Sequence, residues 1–589
     1  MKVLLSTLNA KYTHSSLALR YLASFCQRYG QSVTVREYTV NNGLLEILSD
    51  IYTYQANVIG LACYIWNIEA SLQLAALIKK VRPEVIVVLG GPEVSYEPQA
   101  VLAANPAVDY IVLGEGEKTL SLLLDALKAG KTAEAIAGIA YRGSCKGIVG
   151  TPQIIDNLDD IPFPYSEAEM PLLKDKIIYY ESSRGCPFSC QYCLSSATSG
   201  VRFLSLERVF NDLQFFIDHN VRQVKFVDRT FNARKDHYFP ILKFLADQTC
   251  RTNFHFEIAA DIWDKEVVDF LHGVPVGRFQ FEIGIQSTNQ QTLTAIQRHN
   301  NWSRIVENIN RIRSYNNIHL HLDLIIGLPY EDQTIFAKSF DDVYSLQPDM
   351  LQIGFLKLLK GAGIREDAGR HGYIAMDTAP YEVLANNYLS YDQVRRLKIL
   401  EEVFEQVYNS GRFKYSLTWL IAATGSGAFD FYYHLACYWE QHGYHLVAHS
   451  AKNLYKYMAE FCEALYPVLL HSYLELLKFD ALMSEQGTVR PDFLPWNQIN
   501  QAAADKWADA KTSFWRDTSR AKHYLPEFSF TTWREIKKAY HVEVFMVDIP
   551  SYLAGCGYLD NRKIAVLFSY QNGRPSYQRI KDDDFCTEI

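Results

Sequence analysis

From Met1 to about Gly130, short apolar runs alternate with stretches whose apolar residues recur at helical spacing: KVLLSTL, then Ser15–Tyr29, SVTVREY, VIGLACY, then Ile68–Val81, EVIVVLGG, VDYIVLGEGE, then Thr119–Lys128. Strands that alternate with helices predict a parallel sheet, because parallel neighbours need a crossover between them. Five such units suit a flavodoxin-like, Rossmann-like doubly wound domain over residues 1–150. Ligands of such sheets bind beyond the carboxyl ends of the strands. Those ends carry Asn9, Tyr64, Gly90, Gly91, Glu93 and the turn Gly114-Glu115-Gly116-Glu117. Glycines there admit the close approach of a ligand, but they serve tight strand-to-helix turns equally well.

Residues 151–172 interrupt the pattern with acidic residues and X-Pro steps in IIDNLDDIPFPYSEAE, which predicts an interdomain linker. A second alternating series follows over residues 173–380, with strands KIIYYES, VRQVKFVD, FHFEIAA, RFQFEIGI, IHLHLDLIIG and MLQIGFLKL. Six βα units are too few for a closed eight-fold barrel and predict an open, partial (β/α)6 barrel, whose chemistry belongs on the loops after its strands. Beyond Tyr381 the alternation ends. YDQVRRLKILEEVFEQVY is amphipathic at helical spacing, and residues 381–589 are expected to form a mostly helical domain with a small terminal β element, VEVFMVDI and KIAVLFSY. Six of the nine tryptophans lie after residue 410, where aromatic residues at helical spacing read as core.

The totals narrow the class. At 589 residues the chain exceeds a single hydrophobic core, and no stretch reaches the roughly 18 apolar residues of a membrane span. The opening MKVLLSTLNAKY reads as a first strand rather than a signal peptide, and a cytoplasmic protein is expected. A net charge of −8 makes nucleic acid an improbable partner. Eleven cysteines without a secretion signal favour reduced thiols or metal ligands over disulfides.

Three of those cysteines crowd the segment ESSRGCPFSCQYCLSS directly after the first strand of the second series. Cys186, Cys190 and Cys193 have the spacing C-x3-C-x2-C. A structural zinc site wants four ligands, normally two separated pairs, and no second pair or nearby histidine completes one. Buried thiols gathered by accident are the bland alternative, and they sit poorly in a loop rich in Ser, Gly and Pro. A [4Fe–4S] cluster on three thiolates leaves one iron open, and that vacancy calls for a cofactor or substrate.

The spacing, the aromatic Tyr192 before the last cysteine and the position after the first strand of a partial barrel resemble the radical S-adenosylmethionine (SAM) superfamily. By that resemblance the open iron would bind SAM, and the cluster would cleave it reductively to a 5′-deoxyadenosyl radical. Tyr192 and Phe188 would then lie on the SAM side. FEIGIQS resembles the family's ExGxQS segment and points Glu282, Gln286 and Ser287 to SAM, while DLIIGLP matches the glycine-proline turn and points to Gly327. Alternation puts Glu282, Gly284 and Gln286 on one strand face. The family's GGE motif is missing; FVDRTFN stands in its place, resembles the form of the cobalamin-associated branch and by that likeness points Asp228 to SAM.

The fusion of a flavodoxin-like domain to such a barrel resembles the class B, cobalamin-binding radical SAM enzymes, followed here by an uncharacterised extension. The strand-end residues of the first domain named above would by that likeness contact cobalamin. No DxHxxG stands after the first strand, so an axial histidine from that motif is not expected, and His14 reads as the start of the first helix beside a capping Thr13. The resemblance implies a methyltransferase acting on an unactivated carbon, fed by a low-potential donor such as flavodoxin or ferredoxin, with substrate and catalytic acid–base residues unknown. A radical cyclase or rearrangement enzyme without methyl transfer, and a non-catalytic iron–sulfur sensor or scaffold, stay open. A methylthiotransferase fits less well, since Cys26, Cys63 and Cys145 lack the context of a second cluster.

Overall fold

In a computed structural model of the chain, residues 1–133, 135–142, 148–194, 200–484, 488–497, 501–571 and 575–585 are described, which leaves Cys145 outside. The chain falls into two compact units, residues 1–394 and 395–589. The first two expected domains therefore share one unit, and the second unit starts within the helix Tyr391–Phe404 rather than at residue 381.

The first unit opens with a parallel sheet of Val3–Asn9, Val33–Thr39, Val58–Ala62, Ile86–Gly90 and Tyr110–Val112, in the spatial order 2-1-3-4-5 of flavodoxin-like folds. Every residue of the first strand is buried, because helices cover both faces of a parallel sheet. Alternation sends Leu4 and Leu8 to one core with Ile59, Leu61 and Leu89, and Val3 and Leu5 to the other with Leu19, Leu120 and Leu123. Two short strands, Ile139–Tyr141 and Ile148–Val149, extend the sheet antiparallel. The first helix, Leu17–Arg28, is capped by Ser16, whose hydroxyl accepts from Leu19 N at 3.4 Å. That corrects the expected cap at Thr13.

The second sheet of this unit is wholly parallel and sequential: Ile178–Tyr180, Gln223–Phe226, Asn253–Ile258, Phe279–Gln286, His319–Ile326 and Met350–Phe355. These six strands form the open βα barrel. Outward residues such as Phe254, Phe256, Phe279 and Phe281 are completely buried beneath the helices. The inward positions of the same strands carry Lys225, His255, Glu257, Glu282, His321 and Asp323, so this barrel has a polar interior. The linker lies against the barrel: Tyr165 donates its hydroxyl to Tyr179 O at 2.5 Å, and Phe163 packs on Phe215 and Phe216.

The second unit packs the helices Lys414–Thr424, Ala428–Gln441, Ala451–Leu465 and Leu470–Ser484 with a three-stranded antiparallel sheet, Tyr540–Phe545, Ile564–Ser569 and Ser576–Ile580. Its aromatic residues are core: Trp439, Trp507 and Trp515 are buried. No described helix of the chain is long and apolar enough to cross a membrane.

Candidate active site

The cysteine segment leaves the first barrel strand through a small antiparallel ladder, Ser183–Gly185 against Val201–Phe203, which closes the base of the loop. Gly185 has φ +107, and a Cβ there would lie 2.1 Å from Gly200 O, so only glycine lets the two arms meet. Above this ladder the loop is tied to the barrel by backbone bonds from Gln191 N to Ile296 O and from Ile364 N to Gln191 O, both 2.9 Å.

Cys186, Cys190 and Cys193 line one cleft at the carboxyl end of the barrel, together with Phe188, Tyr192, Arg229, Thr230, Glu257, Glu282, Gly284, Gln286, Arg298 and Asp323. Cys190 is buried; Cys186 and Cys193 are half-buried. Burial raises the Cys190 thiol, and Arg298, 3.8 Å from its sulfur, works against that shift. Arg298 also donates to Tyr192 Oη at 3.1 Å and to Gly284 O, so one guanidinium positions the aromatic ring, a thiol and the fourth barrel strand.

The fourth strand is built around a register break between Gly284 and Gln286. Gln286 sits at φ +70, a strained backbone for a non-glycine residue, and its side chain folds over Gly284, where a Cβ would lie 2.2 Å from Gln286 Nε2. Deeper in the barrel, Glu282 Oε2 receives Lys225 Nζ at 2.9 Å and lies 2.8 Å from His255 Nε2. Burial alone would raise Glu282, but His255 and Lys225 outweigh it and bring the carboxyl down to about 2. Glu257 goes the other way: burial first, then the charge of Glu282, push it up to about 7. A carboxyl raised from its ordinary range costs stability as pH climbs from about 4.5 through 7. Glu257→Gln is therefore expected to flatten the decline of unfolding free energy between pH 5 and 7, measured by urea titration; an unchanged slope would contradict the placement of Glu257.

Other expected residues go elsewhere. Asp228 is fully buried behind the cleft and accepts from Ser182 N, Ser182 Oγ and Ser183 Oγ at 2.9, 2.7 and 2.5 Å, fixing the strand that precedes the cysteines. Ser287 bonds Glu331 at 2.5 Å, and the Gly327 carbonyl accepts from Tyr373 Oη and Asn386 Nδ2. None of these three lines the cleft.

At the edge of the N-terminal sheet, Asn9 Nδ2 donates to Glu37 at 2.6 Å, and Tyr64 stacks on Trp66 at 4.6 Å. Gly90 ends the fourth strand, and Gly91, at φ +105, runs so close to Cys63 that a Cβ would lie 2.5 Å from its carbonyl. Glu93 is buried and accepts from Tyr381 Oη at 2.8 Å. The Gly114–Glu117 turn faces the cysteine ladder: Glu117 pairs with Arg184 at 2.6 Å, and Glu115 pairs with Arg184 at 3.3 Å and with Arg202. A groove at this edge is lined by Val40, Ile65, Trp66, Ile68 and Ala379 together with Glu69 and Gln73. His14, outside helix one, meets Tyr179 Oη at 2.5 Å.

Sequence reading missed Arg298, Glu257 and Asp323, which come from three separate segments and belong to no spaced motif, and it passed over Arg229 and Thr230 beside Asp228 in FVDRTFN. Glu257 and Asp323 carried one usable signal: a charged residue at an inward position of an otherwise apolar strand.

Three family descriptions match the chain: the B12 binding domain over residues 3–124, the radical SAM superfamily over 180–343, and a protein of unknown function, DUF4080, over 369–568. The chain is 30% identical over 307 residues to the 2-(S-pantetheinyl)-carbapenam-3-carboxylate methyltransferase of Streptantibioticus cattleyicolor, a match covering 48% of this chain and 44% of that protein. It thus spans less than half the length of that relative. Over 189 residues it is 30% identical to an anaerobic magnesium-protoporphyrin IX monomethyl ester cyclase of Rubrivivax gelatinosus, covering 29% of this chain and 33% of that one. The fold is shared with the cobalamin-dependent SAM radical enzyme OxsB with aqua-cobalamin bound, at a TM-score of 0.57, 15% identity, and coverage of 86% of this chain and 84% of that one. The chain thus carries, in this order, a match to the B12 binding domain, a match to the radical SAM superfamily and a match to DUF4080.

Proposed function

We propose that this chain is a cobalamin-dependent radical SAM methyltransferase whose cluster is held by Cys186, Cys190 and Cys193 and whose SAM side is formed by Phe188, Tyr192, Glu282 and Gln286. The observation that supports this reading most is the convergence of the three thiols with Tyr192, Glu282, Gly284 and Gln286, drawn from two separate segments, on one cleft. When bound, the cluster would supply reductive cleavage of SAM and cobalamin a transferable methyl group.

The chain's own residues prepare the cleft. Arg298 offsets thiolate charge at Cys190 and fixes the Tyr192 ring through its hydroxyl. Thr230 Oγ1 stands 3.5 Å from Cys186 Sγ and steadies the outer thiol. Lys225 and His255 keep Glu282 ionised in the barrel interior, so it presents a fixed acceptor rather than an exchanging proton. The pairing of Glu115 and Glu117 with Arg184 and Arg202 binds the B12-binding domain to the arms of the cysteine loop, which favours a shared substrate space for the two cofactors. A low-potential flavodoxin or ferredoxin would provide the electron.

Likeness to the Rubrivivax cyclase supports a second reading, a radical cyclisation or rearrangement without methyl transfer. Anaerobic reconstitution with iron, sulfide and hydroxocobalamin separates the two. Methyltransferase chemistry predicts about four irons and one corrinoid per chain, with reductant-dependent formation of both deoxyadenosine and S-adenosylhomocysteine from SAM. Corrinoid uptake without S-adenosylhomocysteine would favour the cyclase reading, and a protein that takes up no iron would end both.

A further inference from the structure

The second unit holds a cluster of charged groups that the proposed chemistry leaves unused. On the strand Tyr540–Phe545, His541 and Glu543 share one face and are buried. The acceptors here are satisfied. Glu543 Oε1 accepts from Asn497 N at 3.0 Å and from Asn497 Nδ2 at 2.5 Å, and Oε2 lies 2.7 Å from His541 Nε2. His541 Nδ1 in turn accepts from Arg490 Nη2 at 3.3 Å. Glu475 pairs with Lys478 at 3.0 Å, and Lys478 also donates to Val544 O at 2.9 Å.

The donors around them are not matched. Lys511, on the helix Gln501–Arg516, holds its ammonium 4.4 Å from the centre of the Trp507 ring and makes no hydrogen bond or ion pair among the described residues. Trp507 is 5% exposed and stands 6.3 Å from the His541 ring, and its Nε1–H has no acceptor. Phe568 is the cross-strand partner of His541, so Tyr570, two residues further, returns to the His541 face. The Tyr570 hydroxyl is shut off from water and has no partner, with Arg490 and Glu543 the charges acting on it. Burial first, then the cations Lys537 and Arg490, bring Lys511 down to about 8 against the pull of Glu543. Donors withdrawn from water without acceptors are costly, and so is an ammonium beside other cations. An anion removes both costs, and a cationic guest adds to them.

We propose that Lys511, Trp507 and Tyr570 form a binding site for a phosphate group, carried by a small molecule or free in solution. The Lys511 ammonium and the exposed Lys537 meet its charge, while Trp507 Nε1 and Tyr570 Oη each donate to one of its oxygens. Two ammonium groups and two neutral donors suit a dianion with several oxygens better than a carboxylate, whose single charge and two oxygens leave donors over. All of these residues lie within residues 395–589, so the site is separate from the cysteine cleft.

The test is calorimetry of the full chain with inorganic phosphate, with glycerol 3-phosphate and with acetate, at constant ionic strength. A phosphate probe is expected to bind and acetate not to bind. Binding of glycerol 3-phosphate alone assigns an ester as the ligand; binding of inorganic phosphate as well admits the free ion. Lys511→Met, which keeps the length of the chain and removes its charge, should weaken the phosphate probe at least about tenfold, and Tyr570→Phe should weaken it severalfold. Both variants remove a group that has no partner, so their urea midpoints should not fall below that of the unaltered protein, and lost binding is then not lost folding. Glycerol 3-phosphate is a dianion above about pH 7. Its affinity should fall as pH rises through about 8, where Lys511 loses its proton, and Lys511→Met should lack that fall. The inference is overturned if neither phosphate probe binds, if acetate binds equally well, if both variants keep full affinity, or if Lys511→Met keeps the same pH dependence. No bound cluster is needed for the measurement, so the outcome is independent of the radical SAM reading.

Discussion

Cys190→Ala is expected to leave a protein without the iron–sulfur chromophore and with deoxyadenosine formation at background. Cys190 is the buried member of the three, and its sulfur is the one that Arg298 reaches. Three thiolates are the fewest that can hold a four-iron cluster while leaving one iron for SAM, so Cys186→Ala and Cys193→Ala should fail in the same way. The half-buried Cys250 and Cys437 serve as controls, since neither lines the cleft: their alanine variants should retain full iron content. Iron, sulfide and deoxyadenosine are measured after identical anaerobic reconstitution. A Cys190→Ala protein with normal deoxyadenosine output would remove the basis for the proposed chemistry.

Arg184→Ala should cost stability on the scale of about 3–5 kcal/mol, the range for removing one partner of a buried ion pair. The Arg184 side chain is 13% exposed and carries three carboxylates, Glu117 at 2.6 Å, Glu181 at 2.7 Å and Glu115 at 3.3 Å, with the Tyr21 ring 5.3 Å from its guanidinium carbon. Without it those carboxylates remain withdrawn from water and repel one another. Burial already raises Glu181 to about 7 even with Arg184 beside it. The variant's deficit should therefore shrink as pH falls toward 5, where the stranded carboxyls protonate, and grow toward pH 8. Arg184→Lys should restore only part of the loss, because a single ammonium cannot fork toward three partners. Urea unfolding at both pH values reads the effect, and an Arg184→Ala midpoint equal to that of the unaltered protein would mean that the cluster of charges does not hold the two domains together.

The interior polarity of the barrel explains why local sequence patterns revealed some of this site and concealed the rest. FEIGIQS displayed its inward face because Glu282, Gly284 and Gln286 alternate with fully buried Phe281, Ile283 and Ile285. IHLHLDLIIG has the same alternation, with His321 and Asp323 opposite Leu320, Leu322 and Leu324, yet nothing in the run says that Asp323 shares a cleft with Cys190. Ser287 and Gly327 show the converse. Their motifs are local and legible, while their partners, Glu331, Tyr373 and Asn386, come from later loops that turn them away from the cleft lining. The Gly114–Glu117 turn was legible as a strand-end loop, but its two glutamates could serve a ligand or a neighbouring domain. Arg184 and Arg202, roughly 70–90 residues further on, are the partners the fold brings to them.

Alone, the amino-acid sequence determined the two parallel sheets, their order along the chain and the three-cysteine loop, because periodicity and cysteine spacing are properties of neighbouring residues that water and covalent geometry read directly. Only the tertiary structure decided that Arg298 stands between Cys190 and Tyr192, that Arg184 gathers carboxylates from two domains, and that Asp323 stands beside His321 on the cleft that holds the cysteines. Whether a charge is paired depends on which distant strands the fold brings within a few ångströms, and on how much water it leaves between them.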